Sequence, residues 1–156
     1  MDDTPEVRGC VLPLHLHYSV TDHTWLLIQE DGIATIGMTD VAQNLAGPLL
    51  HAKPKKVGAK RSKGKPVATV ESSKWVGPVK SPISGEVVEV NAELAKDATI
   101  INKSPYKAGW IVRMKPSNLD AEMDGLLTGQ AAVDAYKERI EREDLKPCTH
   151  VEGFEI

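Results

Sequence analysis

Short runs of Val, Ile and Leu recur along this chain at close spacing, each cut off by glycine, proline or a charged stretch. That pattern restricts most of the chain to short strands joined by tight turns, and the low aromatic content of 4% fits it. Segments 25–29 and 33–37 flank Glu30-Asp31-Gly32, whose Asp-Gly signal predicts a hairpin. Further strands are expected at 49–52, 67–71, 85–91 and 108–116, with Gly77-Pro78 as a break and Pro116 as the last strand's end. Thr39 or Asp40 caps a short helix over 41–46 that Gly47-Pro48 stops, and 92–96 suits another short helix.

After Pro116 the hydrophobic period changes. Ser117 or Asn118 caps a helix over 119–127, closed by Gly129, and a second helix runs from about 130 to 144. Ala132, Ala135, Tyr136, Arg139 and Ile140 mark the second helix's packing stripe, and residues 147–156 read as an extended tail.

The 156 residues suit one domain with a real core and a short tail. No apolar run approaches the length that spans a bilayer, so no membrane segment is expected. The start Met1-Asp2-Asp3 is acidic where a signal peptide is basic, which makes the cytoplasm the expected location. A net charge of −3 argues against nucleic acid as a ligand of the whole chain. The charge is uneven, however: residues 53–65 carry seven cations (Lys53, Lys55, Lys56, Lys60, Arg61, Lys63 and Lys65) and no acid. Such a loop is either a solvated turn or a docking patch for an acidic partner. The five histidines are scattered, so no metal site is expected, and no nucleophile–base–acid set or phosphate loop points to an enzyme. Cys10 and Cys148 form neither a disulfide framework nor a zinc pattern.

The informative stretch is Val70-Glu71-Ser72-Ser73-Lys74-Trp75, which holds a lysine out at a hairpin tip where a modifying enzyme can engulf it. Ser81-Pro82-Ile83-Ser84-Gly85-Glu86-Val87-Val88-Glu89-Val90-Asn91 follows at the spacing of swinging-arm carrier domains. With His23-Thr24-Trp25, Ala34-Thr35-Ile36-Gly37-Met38-Thr39-Asp40-Val41-Ala42-Gln43, Ile101-Asn102-Lys103-Ser104-Pro105-Tyr106 and Gly109-Trp110, the chain resembles the H protein of the glycine cleavage system from about residue 17 to 127. The resemblance implies a mainly β fold with flanking helices: a barrel-sandwich hybrid of the lipoyl/biotinyl type with C-terminal helices. It divides the chain into an N-terminal segment (1–16), a lipoyl domain (17–127) and a C-terminal helix and tail (128–156).

It also implies lipoate held as an amide on Lys74, with Glu71 at the acidic position read by the lipoate attachment enzyme. A cross-strand ion pair to Lys74 or Lys80 is the other reading of Glu71. Trp75 either shields the base of the arm or packs on its own sheet. The carrier itself catalyses nothing; partner enzymes act on it, dihydrolipoyl dehydrogenase among them. Lipoyl or biotinyl domains of 2-oxo-acid complexes share the hairpin, but they place the lysine in Asp-Lys-Ala or Met-Lys-Met.

Several positions depart from the H-protein pattern. Thr24 stands for the family's glutamate before the tryptophan, Asp22 for a small hydroxyl residue, Pro78 for an acid four residues after the lysine, and Val41 for a histidine. A cationic aminomethyl group loses most of its acceptors by these changes, although Asp22 compensates in part. Lys53, Lys55 and Lys56 make basic a loop that is usually acidic. With a cysteine near each end, the chain resembles more closely the lipoate-binding proteins of the bacterial sulfur-oxidising heterodisulfide-reductase-like pathway. That resemblance implies an arm carrying sulfur-bound intermediates to an iron–sulfur and flavin complex, with glycine cleavage as the alternative. Folding either brings Cys10 and Cys148 together or sets one beside the arm, where a thiol exchanges disulfides with it. His15 and His17 share one side of a strand and would favour a thiolate.

Overall fold

The computed structural model describes residues 4–156; Met1-Asp2-Asp3, on which the expected location rests, lie outside them. In chain order the strands are β1 (Glu6–Val7), β2 (Cys10–Val11), β3 (His17–Ser19), β4 (Thr24–Ile28), β5 (Ala34–Met38), β6 (Leu49–Pro54), β7 (Lys60–Arg61), β8 (Pro66–Ser72), β9 (Val76–Lys80), β10 (Gly85–Val90), β11 (Val112–Pro116) and β12 (Leu127–Thr128). The helices are α1 (Asp40–Ala46), α2 (Ile100–Lys103), α3 (Leu119–Glu122) and α4 (Gly129–Arg142), with short 3-10 turns at Ala92–Ala95 and Met123–Gly125.

A seven-stranded sheet in the order β12-β3-β4-β5-β11-β10-β7 faces a three-stranded sheet, β6-β8-β9. Alternation along the strands builds the core between them. Leu26, Ile36, Val87 and Met114 from the large sheet meet Ala52, Ala68, Val70 and Val79 from the small one, all buried. This is the barrel-sandwich hybrid that the resemblance implies.

The other face of the large sheet holds a second apolar cluster, for which the same alternation is responsible. Trp25, next to Leu26, points there with Tyr18, and Leu12, Leu16, Val41, Ala132, Val133, Tyr136 and Ile140 close over them. Gly37 pairs with Trp25, and a Cβ on it would lie 2.6 Å from the indole, so only glycine fits. The buried face of α4 is Ala132, Val133, Tyr136 and Ile140; of the stripe expected, Ala135 and Arg139 are only half-buried, and Val133 takes part instead.

Three expectations need correction, and one helix was not foreseen. The Gly77-Pro78 break lies inside β9, because β9 is an edge strand where the missing proline N–H costs no ladder bond. The strand at 108–116 begins only at Val112; residues before it form turns closed by Gly109 N–H donating to Ser104 O at 2.7 Å. Helix α2 precedes those turns and was not expected. The helix over 119–127 stops after one turn of α3, Asn118 gives no side-chain cap, and Leu127-Thr128 pair with β3 instead. The tail after α4 has no regular structure, yet it is held down at several points.

Candidate functional site

Lys74 occupies the tip of the β8–β9 hairpin. Ser72 N–H donates to Trp75 O at 2.8 Å and closes the turn, leaving Ser73 and Lys74 as its two outer residues. Lys74 is exposed and makes no ion pair among the described residues. Its side chain lies over Gly47, the glycine that ends α1 with φ +79°; a Cβ there would sit 3.2 Å from Lys74 Cε. The lysine therefore has a smooth seat beside the C-terminus of α1.

Two recesses meet at that seat. The first is a cleft of about 510 Å³ with Met38, Ala42, Leu45, Ala46, Pro78 and Val79 as apolar lining and Trp75 at the rim. Its polar contributors are Asp22, His23 and Thr24, which end the β3–β4 hairpin. The second recess lies between α1 and the tail, with Asn44 and Leu45 on one side and Leu145, Pro147 and Thr149 on the other.

The polar groups of the first cleft have distinct states. Burial, reinforced by the Arg139 guanidinium and opposed by Glu143, pushes the His23 imidazole down to about 4, so it is neutral at pH 7. Its Nδ1 lies 3.2 Å from the Tyr136 hydroxyl and its ring stacks on that tyrosine. Thr24 is 1% exposed, and its hydroxyl oxygen is buried without a hydrogen-bond partner. Asp22 is half-buried and pairs with no cation among the described residues. Once Lys74 is an amide, Asp22 is the one charged side chain lining this cleft. An exposed, glycine-seated lysine beside an apolar cleft with an unsatisfied hydroxyl fits a flexible acyl arm and its cargo.

The other residues singled out in the sequence fall as follows. Glu71 is exposed on β8 opposite Val76 and His51 and makes no ion pair among the described residues, so the cross-strand pairing is not seen. Trp75 lines the cleft and also packs on its own strand, since a Cβ on Gly77 would lie 2.3 Å from its ring. Pro78 lines the cleft, but Val41 is buried in the second cluster, so the lost histidine leaves the cleft lining unchanged.

Cys10 and Cys148 are joined in a disulfide, with 2% and 9% exposure. Sequence spacing gave no sign of this. The bond exists because the tail runs beside the N-terminal hairpin, where Cys148 N–H donates to Arg8 O at 2.8 Å. His15 is exposed, and His17 is half-buried with its imidazole pushed down by burial; neither has a hydrogen bond to either sulfur. They do not favour a thiolate here.

Sequence reading missed what holds the tail. Asp40, fully buried, accepts from Val11 N–H at 2.8 Å, lies 2.7 Å from His150 Nε2 and accepts from Gln43 Nε2 at 2.8 Å. Asp40 was visible only as a helix cap, and Thr39 does the capping, with its hydroxyl accepting from Ala42 N–H.

Comparison with known proteins agrees with this geometry. The glycine cleavage H-protein family matches residues 16–139. Glycine cleavage system H protein 2 of Aquifex aeolicus is 46% identical over 140 residues, covering 90% of this chain and 87% of that protein. A probable glycine cleavage system H protein 2 of Saccharolobus solfataricus is 46% identical over 139 residues, covering 88% and 93%. The crystal structure of the Mycobacterium marinum H protein superposes with a TM-score of 0.67 at 30% identity, covering 86% of this chain and all of that one. H proteins are carriers that hold lipoate covalently on a lysine and are not themselves catalysts. This chain belongs to the glycine cleavage H-protein family.

Proposed function

We propose that this chain carries lipoate on Lys74 and serves glycine cleavage, with the cleft beside Lys74 receiving an aminomethyl cargo. The observation that supports this most is the carboxylate of Asp22, without an ion pair among the described residues, lining the cleft next to the attachment point. When bound, the lipoyl group supplies a dithiolane that opens to take up a substituent on sulfur and closes again on oxidation. Asp22 offsets the charge of an ammonium in a cleft that would otherwise penalise it, and Thr24 lines the same wall. His23 stays neutral and adds no repulsion. Met38, Leu45 and Val79 exclude water from the cargo. Glu71, without an ion pair among the described residues, marks the hairpin for the attachment enzyme, and dihydrolipoyl dehydrogenase is the partner that reoxidises the arm.

A second reading, cargo of sulfur-bound intermediates for a heterodisulfide-reductase-like complex, draws on the cleft's apolar majority and on Pro78 in place of an acid. In that reading Cys10 and Cys148 exchange with an incoming dithiol, which is oxidised as the pair is reduced; Cys148 is the less buried residue of the two. One experiment separates the two. The lipoylated protein is incubated with its own decarboxylase and isotopically labelled glycine, and its intact mass is followed. Label on the protein supports the glycine reading. No label, together with a reductant-labile sulfur adduct on protein from cells grown on reduced sulfur compounds, supports the second.

A further inference from the structure

The end of the sandwich far from Lys74 is a built cationic surface. Residues 53–65 form no floppy turn: Lys55 N–H donates to Val67 O at 2.8 Å, Gly58 N–H to Val87 O at 2.7 Å, and Gly64 N–H to Ser81 O at 2.8 Å. Strand β7 within this loop pairs with β10, which fixes Lys60 opposite Glu86. Lys53, Lys55, Lys56, Lys60, Lys63 and Lys65 are all exposed, and none makes an ion pair among the described residues. Lys80 extends the surface, because it pairs with Pro66 at the same end of the hairpin.

The acids nearby neutralise little of this. Glu86 is half-buried between Lys60 and Lys115 on neighbouring strands. Glu122 is engaged by Ser84, whose N–H and hydroxyl donate to its two oxygens at 2.7 and 2.6 Å. Lys63 reaches only the backbone carbonyl of Glu122, at 3.4 Å. Cations clustered on a pinned backbone repel one another in the free protein, and the loop itself loses little backbone freedom when a complementary surface arrives.

We propose that this basic end is a docking surface for the acidic face of an enzyme that the arm serves, separate from the Lys74 cleft. The inference rests on the carrier reading. Strand β8 spans seven residues between the two ends, about 23 Å at strand rise. A partner gripped at the basic end thus leaves the Lys74 tip and both its recesses uncovered. Docking would then raise the effective concentration of Lys74 near that enzyme without blocking a visit to another. A protein is favoured over nucleic acid because the loop has no aromatic side chain to stack on bases and the chain as a whole is acidic, at −3.

The test uses the full-length protein with Lys55→Glu, Lys56→Glu and Lys63→Glu combined, and a control with Lys96→Glu, Lys107→Glu and Lys137→Glu. Each is titrated with the purified decarboxylase, aminomethyltransferase, dihydrolipoyl dehydrogenase and attachment enzyme of its own organism, and with duplex DNA, at two salt concentrations and with Lys74 both free and lipoylated. At least one enzyme is expected to bind the wild type and the control in either Lys74 state, with affinity falling steeply with salt, and to bind the loop variant at least ten-fold more weakly. Equal binding of loop variant and wild type overturns the proposal, as does binding to duplex DNA alone or to none of the four enzymes. Because affinity is read on the free-lysine form too, an unmodified Lys74 would sink the carrier reading without changing this readout.

Discussion

Replacing Cys148 by serine removes a cross-link between residues 138 positions apart. In the folded protein little should move. The tail keeps Cys148 N–H on Arg8 O at 2.8 Å, Thr149 N–H on Asn44 Oδ1 at 3.0 Å and His150 against Asp40 at 2.7 Å. The serine hydroxyl gains a proton to donate toward Asp40 O, which the disulfide sulfur merely approaches at 3.7 Å. The loss falls on the unfolded chain, which gains the freedom of a long open loop. Chain entropy puts that gain at about 5 kcal/mol for a loop of this length. With a urea slope of about 2 kcal/mol per molar, the midpoint should drop by about 2.5 M. The assay is urea unfolding of the oxidised wild type, the wild type under reductant, Cys148→Ser and the double serine variant. The three disulfide-free samples should unfold together, well below the oxidised protein and with a steeper slope. Coincident midpoints for all four would refute the loop-entropy reasoning. Two titratable thiols in the native, non-reduced protein would remove its premise.

Three further outcomes follow from the site. His23 binds a proton less readily folded, at about 4, than in the unfolded chain, at the ordinary imidazole value of about 6.5, so its contribution is intact above pH 6.5 and is lost as pH falls toward 4. The loss should approach about 3 kcal/mol; His23→Asn, a residue that tolerates the observed φ of +57°, should flatten that limb of the stability–pH profile. Thr24→Val removes an orphaned buried hydroxyl and should raise thermal stability by about 1 kcal/mol; lowered stability would mean that the hydroxyl has a partner. Gly37→Ala drives a methyl into the Trp25 indole and should cost about 3 kcal/mol, read as a lower melting temperature with disturbed tryptophan fluorescence.

Much of the strand order was legible because period-two burial, Asp31-Gly32 and Pro116 are local signals. The β4–β5 hairpin, α1 with its Thr39 cap and the Lys74 hairpin all follow from neighbours in sequence. What failed depended on distant partners. Pro78 reads as a breaker until β9 is known to lie at a sheet edge, and Leu127-Thr128 read as helix until β3 offers them a ladder. The site divides in the same way. Lys74, Glu71 and the loss of glutamate at Thr24 stand out in the sequence. The seat at Gly47, the clasp of His150 on Asp40 and the Cys10–Cys148 bond join segments more than 20 residues apart, and no local pattern announces them. Val41 shows the opposite error: a departure that looked functional lies in the core, away from the cleft.

Everything proposed for this carrier requires that Lys74 bears the arm. Peptide mapping by mass spectrometry of the protein purified from its native host, grown where glycine must be degraded, tests it most directly. A lipoyl increment confined to the peptide bearing Lys74, and abolished by Lys74→Arg, is the expected result. A lipoyl group on another lysine, or an unmodified Lys74 in cells whose other lipoyl proteins are fully modified, would contradict the account.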